Sequence, residues 1–169
     1  GAGLGIEAAP VRSGLDRSIR KIHLAGYVIR TRGLDKICSP PKRIASMNIR
    51  YADLDGDNAE EAIVEAVTCR STDGNADVLG VFAYQPPDSV RELPFDAATP
   101  ASKAIFDGQL GPVRLELIDG RLVRWFALDA GRCASGDPKA AGKRSILYRW
   151  TGKAFAVDRV EDSRPTRAC

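Results

Sequence analysis

A chain of 169 residues with 44% hydrophobic content is about one domain long and can bury a core, which excludes a chain that is disordered throughout. No apolar run approaches the roughly 18 residues needed to cross a bilayer. The net charge is only +3, but it is unevenly spread: residues 1–50 hold ten Lys/Arg against three acids, and residues 51–100 hold two against eleven. Basic residues are not interleaved with aromatics in any nucleic-acid-binding pattern, so nucleic acid is not an expected partner.

The start, Gly1-Ala2-Gly3, lacks the basic and apolar regions of a leader and reads as a trimmed mature terminus or a cloning scar. Residues 1–12 are expected to be a flexible terminus before a single domain over 13–169. Residues 13–31 read as a helix. Ser13 and Asp16 fit a capping pattern, Leu15, Ile19, Ile22, Gly26 and Ile29 recur at helical spacing, and Gly33 suits the stop. The β-prone run Tyr27-Val28-Ile29 leaves a strand open for the second half.

After the Pro-containing loop at Cys38-Ser39-Pro40-Pro41 the texture turns to strands, expected at 44–51, 62–69 and 78–84. Residues 85–111 carry four of the ten prolines and read as an irregular connection with a short helix near 101–106. Asp119-Gly120 predicts a hairpin turn between 113–118 and 122–128, and Thr151-Gly152 another between 145–150 and 154–160. No internal repeat is evident. The arrangement these elements predict is α+β, an N-terminal helix packed on a mostly antiparallel β-sheet built of hairpins.

Four cysteines, Cys38, Cys69, Cys133 and Cys169, are widely spaced, and the single His23 argues against a Cys/His zinc site. Two disulfides are the natural reading, and they imply an oxidising compartment. Of the three connectivities, Cys38–Cys69 with Cys133–Cys169 is favoured, because each closes a moderate loop between segments expected to be neighbours.

One segment carries a chemical mechanism. Asp53-Leu54-Asp55-Gly56-Asp57-Asn58-Ala59-Glu60-Glu61 sets carboxylates at positions 1, 3, 5 and 9 of a loop between two strands. Calcium wants six to eight oxygens, and alternating Asp in a tight loop can aim several at one centre. Asp53, Asp55, Asp57 and Glu61 are the candidate ligands, with Ala59 offering its backbone carbonyl. An EF-hand is excluded, because its bidentate Glu would fall on Val64.

The loop resembles the calcium loop of FG-GAP (VCBS) repeats, D-x-D-G-D-G-x-x-D, with Asn58 in place of the usual Gly and Glu61 in place of the last Asp. A propeller built of such repeats needs several copies, and this chain has one. A wider resemblance is to uncharacterised secreted proteins and lipoproteins of bacteria that carry one such loop and end in a Y-R-W-x-G-x-x-F hairpin. The matching stretches are residues 51–64 and 148–155. The resemblance implies a periplasmic or secreted address, with a lipid anchor on the precursor as one form of it, and no particular activity.

Other chemical readings are weaker. Ser39-Pro40-Pro41-Lys42 has the S-x-x-K spacing of a serine nucleophile but lacks partner motifs. His23 has no evident nucleophile to serve. Glu61 and Glu65 share a strand face with no acid placed opposite. Trp125, Phe126, Trp150 and Phe155 read as core. The expected role is therefore a non-enzymatic extracytoplasmic module that binds a protein or cell-envelope partner. An enzyme acting on cell-wall or extracellular polymer, or a structural calcium-stabilised envelope domain, is the alternative.

Overall fold

The computed structural model describes residues 18–40, 43–97, 99–137, 139 and 141–163. The chain divides into two compact units, Gly1–Leu93 and Pro94–Cys169, and each contains one four-stranded antiparallel sheet in simple sequential order. The expected flexible terminus over residues 1–12, and Ser13, Leu15 and Asp16 of the expected helix, lie outside the described residues, as do Pro41 and Lys42.

The α+β expectation is overturned. Strands dominate both units, and the expected long N-terminal helix is reduced to short pieces. Ser18 caps a 3-10 turn over Ile19–Lys21 by accepting the Arg20 N–H at 3.1 Å, and Ile22 is then extended at φ −80°, ψ 134°. That extended residue breaks the helical path, so helix α1 spans only Leu24–Thr31. Gly33, at φ 65°, ends it in the left-handed conformation a glycine adopts freely, and a single turn, α2 (Leu34–Ile37), follows. The helical spacing read across 13–31 was in part a coincidence of apolar residues that belong to separate short elements.

In the first unit, β1 (Ile44–Ala52), β2 (Glu61–Thr68), β3 (Val78–Gln85) and β4 (Ser89–Leu93) form a meander. Ala62, Val64 and Ala66 of β2 point to one face and pack with Phe82, Val90, Ile19, Leu24, Val28 and Leu34. Tyr27 meets the Phe82 ring edge-on, with centroids 5.6 Å apart. The alternate residues of β2 are also buried, Ile63 fully, which is why this strand reads as a continuous apolar run. The Cys38–Cys69 disulfide, with Cα atoms 6.3 Å apart, ties the end of α2 to the end of β2. No described cysteine is free; Cys169, the expected partner of Cys133, lies outside the described residues.

In the second unit, β5 (Gln109–Ile118), β6 (Arg121–Leu128), β7 (Gly142–Trp150) and β8 (Phe155–Ser163) form the second meander. Asp119 and Gly120, at φ 51° and 73°, make the two-residue turn between β5 and β6, as Asp-Gly requires. A short helix, α3 (Pro100–Ala104), is fixed by a reciprocal cap between Thr99 and Ser102. Phe126 and Phe155 are buried, whereas Trp125 and Trp150 are half-buried. Among the described residues no helix is long and apolar enough to cross a membrane.

Candidate metal centre

β1 and β2 pair in register from Met47 opposite Ala66 to Ala52 opposite Glu61, and this hairpin fixes both ends of the acidic loop. Between them the backbone curls through two left-handed residues, Gly56 at φ 79° and Asn58 at φ 67°. A short polar side chain tolerates that conformation better than any bulkier one, which suits Asn58 to this position.

The curl turns backbone N–H groups inward onto the carboxylates. Asp53 accepts from Gly56 N at 2.8 Å through Oδ1 and from Asn58 N at 3.0 Å through Oδ2. Asp55 Oδ1 accepts from Asp57 N at 3.1 Å, and Asp57 Oδ1 from Ala59 N at 2.8 Å. Glu61 Oε2 accepts from Leu54 N at 2.5 Å. Asp55, Asp57 and Glu61 thus each use one oxygen for the backbone and keep the other, and all carry further lone pairs.

Asp53, Asp55, Asp57 and Glu61 each bring a carboxylate oxygen within 4.8 Å of the others. Ala59 stands in the same loop, but its described bond is the N–H donated to Asp57. Glu60 points elsewhere: it pairs with Arg20, whose Nε lies 2.7 Å from Glu60 Oε2 and whose guanidinium carbon sits 4.2 Å from the Tyr51 ring centroid. Glu65 likewise pairs with Arg50 at 2.9 Å, so it is not free to act as an acid opposite Glu61. His23 precedes α1 and makes no side-chain cap.

The electrostatics of the cluster follow from burial and crowding. Glu61 is 1% exposed. Loss of solvent, opposed by the Leu54 N–H and reinforced by Asp55 and Asp57, pushes its carboxyl up to about 8. Asp55 is also raised, first by burial and then by the neighbouring Asp57 carboxyl. Glu60, held by Arg20, moves the opposite way. Burial first, and crowding among the carboxyls second, therefore raise both Glu61 and Asp55.

Asp53, Asp55, Asp57 and Glu61 could together hold a metal ion. The 4.8 Å spread of the cluster can hold an ion. Leu54 and Asn58, which orient Glu61 and Asp53 through their backbone N–H groups, were not predicted as contributors. The signal for them was present only in the loop conformation, not in their side-chain types.

Comparison of the chain with protein-family models, with curated proteins and with solved structures finds no match.

Proposed function

We propose that the loop from Asp53 to Glu61 binds calcium, and that the chain is a non-enzymatic extracytoplasmic module whose first unit is stiffened by the ion for interaction with a partner. The observation that carries this reading is the convergence of four carboxylates within 4.8 Å around a Glu61 that is almost fully buried. Backbone N–H groups gather these carboxylates, at an electrostatic cost that a divalent cation would offset.

The likeness of the loop to FG-GAP repeats supports calcium over other ions. The Cys38–Cys69 disulfide supports an oxidising compartment, where calcium is abundant enough for an extracellular-type site of about 10⁻⁴–10⁻³ M affinity. The bound ion would be held by Asp53, Asp55, Asp57 and Glu61, and its contribution would be structural: joining the two ends of the β1–β2 hairpin.

Thermal melts in excess chelator, then in millimolar calcium or magnesium, test the reading. At one to ten times Kd, which millimolar calcium reaches for such a site, binding to the native state alone contributes about 0.4–1.4 kcal/mol. A calcium-selective rise of several degrees that disappears in Asp55→Ala supports the site. Superimposable melts would reduce the loop to a solvated turn.

A further inference from the structure

The Pro94–Cys169 unit contains a cavity of about 170 Å³ that the metal loop does not touch. Its floor is one face of the second sheet. Arg124 on β6 lies opposite Ile146 on β7, and Tyr148 follows two residues on, so both project to the same side. Its roof is the chain before β5. Pro94 O accepts from Phe155 N at 2.9 Å, and Asp96 N donates to Phe155 O at 2.9 Å, which lays this segment beside the start of β8. Farther along, Phe106 stacks on Phe126 with centroids 5.6 Å apart, and Arg144 Nη1 donates to Ile105 O at 3.0 Å. The roof is anchored at both ends, so the cavity is preformed.

Aromatic rings supply its walls: Phe95, Phe106, Tyr148 and Phe155. Between two of them lies a cation. The Arg124 guanidinium carbon is 3.5 Å from the Phe95 ring centroid and 5.6 Å from that of Tyr148. The neighbouring arginines Arg121, Arg144 and Arg159 pair with Asp158, Asp162 and Glu161. Among the described residues no carboxylate pairs with Arg124, and its buried Nε has no hydrogen-bond partner. A half-buried guanidinium stacked on aromatic rings without an anion is an incomplete arrangement, because its N–H groups lose water without gaining a charged acceptor.

Lys103 on α3 also lines the cavity, and Asp96 offsets one of the two positive charges. The lining is therefore left with a single net positive charge. The size is equally restrictive, since a cavity of about 150 Å³ is known to accept one benzene ring. Dinucleotides, sugars of several units and long acyl chains are too large.

We infer that this cavity binds a small monocarboxylate with an apolar body of about one aromatic ring, its ring among Phe95, Phe106 and Phe155 and its carboxylate on the Arg124 guanidinium. Tyr148 is placed to add a hydroxyl donor, and Lys103 to screen the charge at the rim. Arginine suits this task because its planar fork meets a carboxylate with two parallel hydrogen bonds.

The test is a titration of the full chain with 3-phenylpropanoate, followed by backbone and aromatic NMR shifts. Its uncharged amide and acetate serve as controls. Saturable shifts at Phe95, Arg124 and Tyr148 are expected with a dissociation constant of about millimolar or tighter. The amide should bind at least about tenfold more weakly, because it forfeits the charge-assisted bonds, and acetate should give no saturation. Arg124→Met keeps an apolar stem over Phe95 and should weaken the acid by a similar factor. Lys103→Gln, an exposed change on α3 that spares the fold, should weaken it by about threefold and provides a second variant if Arg124→Met fails to fold. Absence of saturable shifts at these residues, an amide that binds as tightly as the acid, or undiminished binding by the folded variants would overturn the inference.

Discussion

The backbone N–H of Leu54 donates to Oε2 of Glu61 across the mouth of the β1–β2 loop, at 2.5 Å. This bond joins the second residue of the acidic run to its last carboxylate. It holds Glu61 inward, where the residue is 1% exposed, instead of letting it extend into solvent. The same inward placement raises its proton affinity and makes it available to a cation, so the metal reading and the pH behaviour of the loop share one cause.

The first prediction concerns pH in the absence of metal. Glu61 has a folded-state pKa of about 8 against an ordinary 4.5. Between those values the native state holds a proton that the unfolded chain has lost, so this group stabilises fully below pH 4.5 and its contribution vanishes as pH rises through 8. Glu60, Asp73, Asp158 and Asp162 are shifted downward and act with the opposite sign, below the ordinary carboxylate range. Melting temperature in chelator should therefore fall from pH 5 to pH 8 more steeply for the native chain than for Glu61→Gln, which keeps an acceptor for Leu54 N–H without the charge. Parallel slopes would show that Glu61 is not the group responsible.

Asn58 should behave as a residue held at positive φ. Asn58→Gly is expected to change stability by only a few tenths of a kcal/mol, whereas Asn58→Val, a β-branched residue at φ 67°, should cost about 1–2 kcal/mol. Denaturant unfolding of the two variants checks the order. The valine variant should also weaken the calcium response, because the Asn58 N–H orients Asp53.

The Cys38–Cys69 bridge spans 31 positions in sequence, so the chain-entropy model assigns it about 3.7 kcal/mol. Cys38→Ser combined with Cys69→Ser should lower the unfolding free energy of the first unit by about 2–4 kcal/mol. Chemical denaturation under non-reducing conditions measures it. A loss below about 0.5 kcal/mol would mean that the loop it closes is already ordered in the unfolded chain.

Packing gives a further check. Phe82 is fully buried and meets Tyr27 edge-on, so Phe82→Ala should cost about 3–5 kcal/mol. Tyr27→Leu, which removes only the edge contact and some area from a half-buried side chain, should cost far less. Equal losses would show that α1 is not held against the sheet through this pair.

Hairpins were the legible part of the fold, because their signals are local. The strand expected at 44–51 is β1 within a residue, that at 78–84 is β3, and Asp119-Gly120 makes the turn its residue types require. β4 was hidden in the Pro-containing connection, where only Val90 and Leu93 of Ser89-Val90-Arg91-Glu92-Leu93 are buried and the strand forms by pairing with β3. The N-terminal helix failed for a different reason. Its periodicity joined Ile19, Ile22 and Ile29 across a break that Ser18 capping and an extended Ile22 impose. In the acidic loop the ligand types were readable from alternating Asp, but the burial of Glu61 was not, because it depends on β2 being covered on both faces. Arg124 was equally opaque. It stands between Val123 and Trp125 in an apolar strand, and nothing local distinguishes an arginine stacked on Phe95 from one in solvent.

The central claim rests on Asp53, Asp55, Asp57 and Glu61 sharing one ion, and calorimetric titration of the chelator-treated chain with calcium measures that most directly. The account predicts one ion per chain, weaker binding of magnesium by at least about tenfold, and loss of the heat in Asp55→Asn with the fold retained by circular dichroism. No saturable heat with calcium, or an unchanged isotherm in Asp55→Asn, would contradict it.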